Sequence, residues 1–195
     1  MHMPPKIKTT RESILSVAMA MVRATGWESM NARDIAKRLG CSTQPIFREF
    51  KNMAELKDEV RKMAWETYNC YLQNYQRVEG KQGLSFGVAY VKFAKEEKNL
   101  FKLIFMADEI EAKGMADLSV LKEDRIGIID IFMQVTGLNR ENAVKLHFNV
   151  WIAIHGLASM LATNKIEISD DELKSTILDN FNGYRKILKE QEDAE

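Results

Sequence analysis

Residues 31–50 read "NARDIAKRLGCSTQPIFREF", and the punctuation of this stretch decides the fold of the N-terminal quarter. Asn31 is a good helix N-cap, Asp34 puts negative charge where the helix dipole favours it, and Gly40 is the residue type that closes a helix. A second helix restarts almost at once. Ser42 is expected to cap it, and Pro45 falls in its first turn, where a missing N–H forfeits no intrahelical bond. Ile35, Ala36, Leu39, Ile46 and Phe50 form an apolar back, while Ser42, Thr43, Gln44 and Arg48 give the shorter helix a polar side and Phe47 points outward. Two helices joined by a link as tight as "RLGCS" make a helix-turn-helix. A polar N-terminus on the second helix is what contact with base edges and phosphates requires.

Working outward, "TTRESILSVAMAMVRATG" supplies the helix that precedes the pair. A capping box is expected from Thr9 to Glu12, Ile14, Leu15, Ala18, Met21 and Val22 recur at helical spacing, and Gly26 is the stop. Downstream, Asn52 and Glu55 form a cap pair that opens a long fourth helix, expected to reach Arg77. Beyond Gly80 and Gly83, helices are expected over 84–97, 99–112 and 117–136, the last ending at Gly137. Another is expected over 139–163, and the last starts from a capping box, Ser169 to Glu172. After Pro45 the chain has no proline, no repeat and no convincing strand. The expected architecture is all-α: an N-terminal three-helix domain containing the helix-turn-helix, joined through a long fourth helix to a larger helical bundle. The division by role is drawn at 1–52 and 53–195.

The charge is unevenly spread. Residues 1–51 carry nine Lys or Arg against four acids, a surplus of +5; the whole chain is neutral, so the other 144 residues sum to −5. A basic head on an acidic body suits a polyanion partner for the head alone, although charge by itself is equally consistent with chance. No apolar run approaches the ~18 residues needed to cross a bilayer, and no signal peptide is expected. Two cysteines, Cys41 and Cys70, without CxxC spacing fit a reducing cytoplasm rather than a disulfide scaffold.

The pattern from Arg33-Asp34-Ile35-Ala36 through Leu39-Gly40-Cys41-Ser42, Ile46 to Phe50, Asn52 and Leu56 resembles the DNA-binding signature of the TetR family of transcriptional repressors. The likeness covers residues 10–60. It implies a homodimer that binds a palindromic operator through its N-terminal domains and a small-molecule effector through its body. Carried onto this chain, it makes Thr43 and Gln44 base-edge readers. Arg48 reaches a base or phosphate, Arg33 and Lys51 are phosphate contacts, and Asn31 stands at a backbone-contact position usually held by Thr or Ser. Two departures stand out. Phe47 replaces a tyrosine or histidine, and Met53 stands where a phosphate-binding lysine is usual. In the body, "NVWIAIHGLASM" and "NLFKLIFM" resemble a C-terminal subtype marked by a Trp-His-Gly motif, here Trp151, His155 and Gly156.

Trp151 and His155 share one helical face. They are either packed core residues or the lining of an effector cavity, and Trp65, Tyr68, Phe101, Phe105, Met106 and Met133 are further candidates of the same double nature. The resemblance also implies a dimer formed by the last two helices. Leu157, Met160, Leu161, Leu173, Ile177, Phe181, Tyr184 and Leu188 supply apolar stripes there, which a monomer would have to bury. The reading is therefore a cytoplasmic, ligand-responsive regulator, a repressor released from DNA by a small hydrophobic effector, with no membrane, metal or cofactor. The alternatives are a helical adaptor with a vestigial helix-turn-helix, or an enzyme of the helical body. Against the enzyme, the three histidines (His2, His147, His155) form no Ser-His-Asp or HExxH arrangement, and no phosphate-cradling glycine loop occurs.

Overall fold

The computed structural model describes residues 9–75, 82–106 and 127–194, and these form helices with no strand among them. Nine helices run through the described residues. They are α1 (Arg11–Thr25), α2 (Ala32–Leu39), α3 (Gln44–Glu49), α4 (Met53–Asn74) and α5 (Gln82–Glu96), then α6 (Lys98–Phe105), α7 (Ile128–Thr136), α8 (Arg140–Thr163) and α9 (Asp170–Glu192). The expected ends of the fourth helix at Arg77 and of the sixth at 112, and the start of the seventh at 117, lie outside the described residues. The chain divides into two compact units, Met1–Cys70 with Glu97–Ala107, and Tyr71–Glu96 with Asp108–Glu195.

In the first unit α1 packs against α2, α3 and α6. Its buried face is Ile14, Ala18, Met19, Met21 and Val22, and Leu100 and Phe101 of α6 are fully buried as well. The sixth helix is fastened to the end of α1 by polar bonds: Asn99 Nδ2 donates to the Arg23 carbonyl at 2.8 Å, and Arg23 pairs with Glu97 at 3.2 Å. The packing unit thus takes in a helix distant in sequence, and its bounds differ from the expected division at 1–52 and 53–195.

Two caps differ from their sequence expectation. The box at the start of α1 is formed by Thr10 and Ser13, not Thr9 and Glu12: Ser13 N donates to Thr10 Oγ1 at 3.2 Å, and Thr10 N donates to Ser13 Oγ at 2.9 Å. A serine hydroxyl satisfies the returning N–H as a carboxylate would, so the helix starts one residue later. Ser42 does not cap α3. Its N-cap is Thr43, with no side-chain capping bond, because Thr43 is already helical (φ −73°, ψ −16°) rather than extended. The caps at Asn31, Asn52 and Ser169 form as expected.

The second unit is organised on α8, which packs against α5, α7 and α9, while α5 also meets α9. Ile129, Phe132, Leu138, Ala143, Leu146, Val150 and Leu188 form one buried cluster. Gly87 permits a close three-helix approach: a Cβ there would stand 2.9 Å from Ile154 Cδ1 and 3.5 Å from Ile177 Cδ1. Glu192 ties the end of α9 to the start of α8, accepting from Asn139 N at 3.0 Å and Asn142 Nδ2 at 2.8 Å. The Asn139 N–H, followed by the Asn142 amide, holds this carboxyl below its ordinary pKa. By length and composition alone α8 could cross a membrane; its packing against three helices accounts for the same apolarity in a bundle core.

The expected dimer stripe is corrected in part: Met160 faces outward and Leu157 is half-buried, but the rest is used within the protomer. Leu161, Leu173, Ile177 and Leu188 are buried within the protomer, and Phe181 and Tyr184 pack against the α7–α8 cluster. The widest apolar face of each helix is spent on its own core. What remains outward is Ile152, Met160 and Ile187, with Gly156 and Gly183 in open space.

Candidate nucleic-acid interface

The geometry of the helix-turn-helix follows from its punctuation. Asn31 Oδ1 accepts from Asp34 N at 3.0 Å, while its Nδ2 donates to the Ser29 carbonyl and to Asp34 Oδ2 at 3.1 and 2.8 Å. Both ends of this amide are therefore engaged in starting α2. Gly40 takes the left-handed conformation (φ +66°), and Cys41 N donates back to the Ala36 carbonyl at 3.0 Å, closing the helix. Because Gly40 turns the chain so sharply, α3 begins four residues later. Its Thr43 carbonyl accepts from Ile46 N and Phe47 N at 3.1 and 3.3 Å.

The seat is dry. Ile35 and Ile46 are 0% exposed, Phe50 1% and Ala36 3%, with Leu39 half-buried beside them. On the other side Ser42, Gln44, Phe47 and Arg48 are exposed and Thr43 is half-buried. Phe47 is 47% exposed, so an aromatic ring stands on the outward side of the helix together with the polar groups. Arg33 and Lys51 are also exposed. All eight residues expected to face DNA thus fall on α2, on α3 or at the turns flanking them. Sequence reasoning did not single out Lys37 and Arg38, both exposed in the last turn of α2; their position just before the closing glycine was the available signal. Nor did it single out Trp27, whose ring lies 5.0 Å from Lys57 Nζ and 5.3 Å from the Arg61 guanidinium. Those two cations lean on a ring within the unit.

Seven of the eight effector candidates fall into two groups. Trp65, Tyr68 and Phe105 meet edge to face, at 5.2 Å for Trp65–Phe105 and 5.1 Å for Tyr68–Phe105, and Phe101 joins at 5.1 Å. These lie in the first unit, with Tyr68 and Phe101 buried and Met106 exposed just past α6. In the second unit Trp151 and His155 stack at 5.0 Å and 18°. Phe148 extends the stack, and the Tyr90 hydroxyl lies 2.8 Å from His155 Nδ1. Trp151 and His155 are half-buried, and burial pushes the His155 imidazole below its ordinary pKa. Met133 is separate, packed on the α7–α8 cluster. Among the described residues no group of His, Cys, Asp and Glu is arranged to hold a metal.

A short helix with an exposed polar side on a dry apolar seat, carried by an all-α chain, defines a helix-turn-helix DNA-binding protein. Residues 14–60 match the family described as bacterial regulatory proteins of the tetR family, and residues 84–179 match a tetracyclin repressor-like C-terminal domain. The chain belongs to the TetR family of transcriptional regulators. A TetR family transcriptional regulator from Pseudomonas syringae pv. tomato str. DC3000 has the same fold, with a TM-score of 0.53, 15% identity, and coverage of 91% of this chain and 96% of that one. No curated protein matches the sequence.

Proposed function

We propose that the protein is a cytoplasmic, ligand-responsive repressor that binds a palindromic operator as a dimer and is released by a small hydrophobic effector. The observation that carries the reading is the division of α3: Ile46 and, at its end, Phe50 are buried, and Gln44, Phe47 and Arg48 are exposed. Thr43 and Gln44 read base edges. Ser42, Arg48, Arg33 and Lys51 approach phosphates, Phe47 lies against the backbone, and Asn31 touches it only by exchanging one of its capping bonds. Residues 1–52 do the reading, and 53–195 bind the effector and dimerise.

Helices α8 and α9 supply the dimer surface through their outward residues. Ile152, Gly156 and Met160 are spaced at i, i+4, i+8 and so share one face of α8, and Gly183 with Ile187 does the same on α9. Glycines on both faces allow the helices of two copies to approach closely. Replacing Met160 and Ile187 together by glutamate should turn a dimer into a monomer in sedimentation, without lowering helix content. The effector is expected to touch the half-buried Trp151–His155 stack, or the Trp65, Tyr68, Phe101, Phe105 and Met106 side chains of the first unit, or Met133 in the second. Its binding favours a conformation whose heads no longer match adjacent major grooves.

The test is titration of a palindrome from upstream of the protein's own coding sequence at several salt concentrations. Salt-dependent binding at least about a thousandfold tighter than to scrambled DNA supports the reading. Equal affinity for both duplexes contradicts it.

A further inference from the structure

Arg11 belongs to the basic surplus of the head, yet its guanidinium is turned into the protein. Nη1 donates to the carbonyl of Glu49, the last residue of α3, at 2.8 Å. Carbonyls in the last turn of a helix have no intrahelical partner, so this bond finishes the helix. The same guanidinium lies over the ring of Phe50, 4.2 Å from its centroid, and Phe50 anchors the end of α3 in the core. Two carboxylates of α4 complete its surroundings, Glu55 and Glu59, each at 3.6 Å. Glu55 in turn accepts from Lys51 N at 2.7 Å, so the first turn of α4 is tied to the same group.

One side chain from the first turn of α1 therefore meets the end of α3 and the start of α4. A planar fork with donors on several edges can serve a carbonyl, a ring face and two carboxylates at once; an ammonium cannot. With the Arg11 side chain 39% exposed, the two ion pairs are screened and add little to stability. Their geometric consequence is larger, because α3 has only six residues, one of them buried, with which to fix its angle.

We propose that Arg11 is a positioning residue for DNA reading: it sets the angle of α3 from behind and presents no charge to phosphate. This rests on the assignment of α3 as the reader. Among the described residues of the head, the positive charge available to DNA then comes from Arg33, Lys37, Arg38, Arg48 and Lys51.

The full-length protein, Arg11→Met, Arg11→Lys and Lys51→Ala are titrated with a duplex selected by the wild type from a random pool, and with a scrambled duplex, across a salt series. Arg11→Met is expected to lose at least about tenfold in affinity for the selected duplex, the loss of roughly one misplaced base contact. Its affinity for scrambled DNA and its salt slope should stay unchanged. Arg11→Lys keeps the charge, so it guards against a folding failure, and it too should lose preference for the selected duplex. Lys51→Ala should weaken both duplexes alike and lower the salt slope by about one. If either Arg11 variant keeps the full preference, or Arg11→Met behaves as Lys51→Ala does, the positioning role is overturned. If the wild type itself selects no sequence, the assignment of α3 as the reader falls, and the role of Arg11 with it.

Discussion

Helices α3 and α8 are opposites. The first has six residues and buries one of them; the second has 24 and buries nine, from Asn142 to Ala162. In α3 the groups proposed to read DNA are the ones left over after the seat is made, so exposure and proposed role coincide. In α8 an aromatic or histidine serves packing whether or not it also touches a ligand, so Trp151 and His155 look alike under both roles. A function on a surface leaves a chemical trace that packing does not need. A function in an interior is written in the same residue types as the core.

Four substitutions test this contrast. Leu146 is fully buried in the α7–α8 cluster, and Leu146→Ala should cost ~2–5 kcal/mol in chemical denaturation. A loss under ~1 kcal/mol would mean that α8 is not the packing centre assigned to it. Gln44→Ala should leave the denaturation midpoint in place and remove ~1–3 kcal/mol of discrimination at one base position. An unchanged ratio of operator to random binding would end the assignment of Gln44. Gly40→Ala should cost about 1–2 kcal/mol, entirely from the left-handed backbone, since no atom lies within 4 Å of the added Cβ.

The smallest effect is a pH dependence. Burial lowers the pKa of His155 below its ordinary 6.5 in the folded protein, so below that pH the unfolded chain binds the extra proton. Stability should fall as pH drops through the region below about 6.5. His155→Gln should flatten that part of the stability curve, and an identical slope in wild type and variant would remove His155 as its source.

The sequence made the head easier to read than the body for the same reason. Gly40, Asn31 and the Ile35, Ile46 and Phe50 seat were legible because caps, stops and apolar spacing are local features. Ser42 misled because the residue before a helix can itself be helical, as Thr43 is, and only the backbone tells which. Arg11 was legible as a charge but not as a clamp, since its partners lie 38 to 48 positions away in the chain. In the body, the helix ends at Asn139, Gly137 and Ser169 were equally plain. The direction of each apolar face was not: Leu161, Leu173, Ile177 and Leu188 have the spacing of an interface and the burial of a core. A helix with apolar residues on two sides does not say which side its own protomer will take.

The central claim is that sequence reading resides on the exposed side of α3. Selection of duplexes from a random pool by the wild type and by Gln44→Ala tests it most directly. The wild type should enrich a palindrome with two half-sites, and Gln44→Ala should enrich the same palindrome with one position per half-site relaxed. Enrichment of no sequence by the wild type, or of an identical motif with undiminished selectivity by Gln44→Ala, would contradict it.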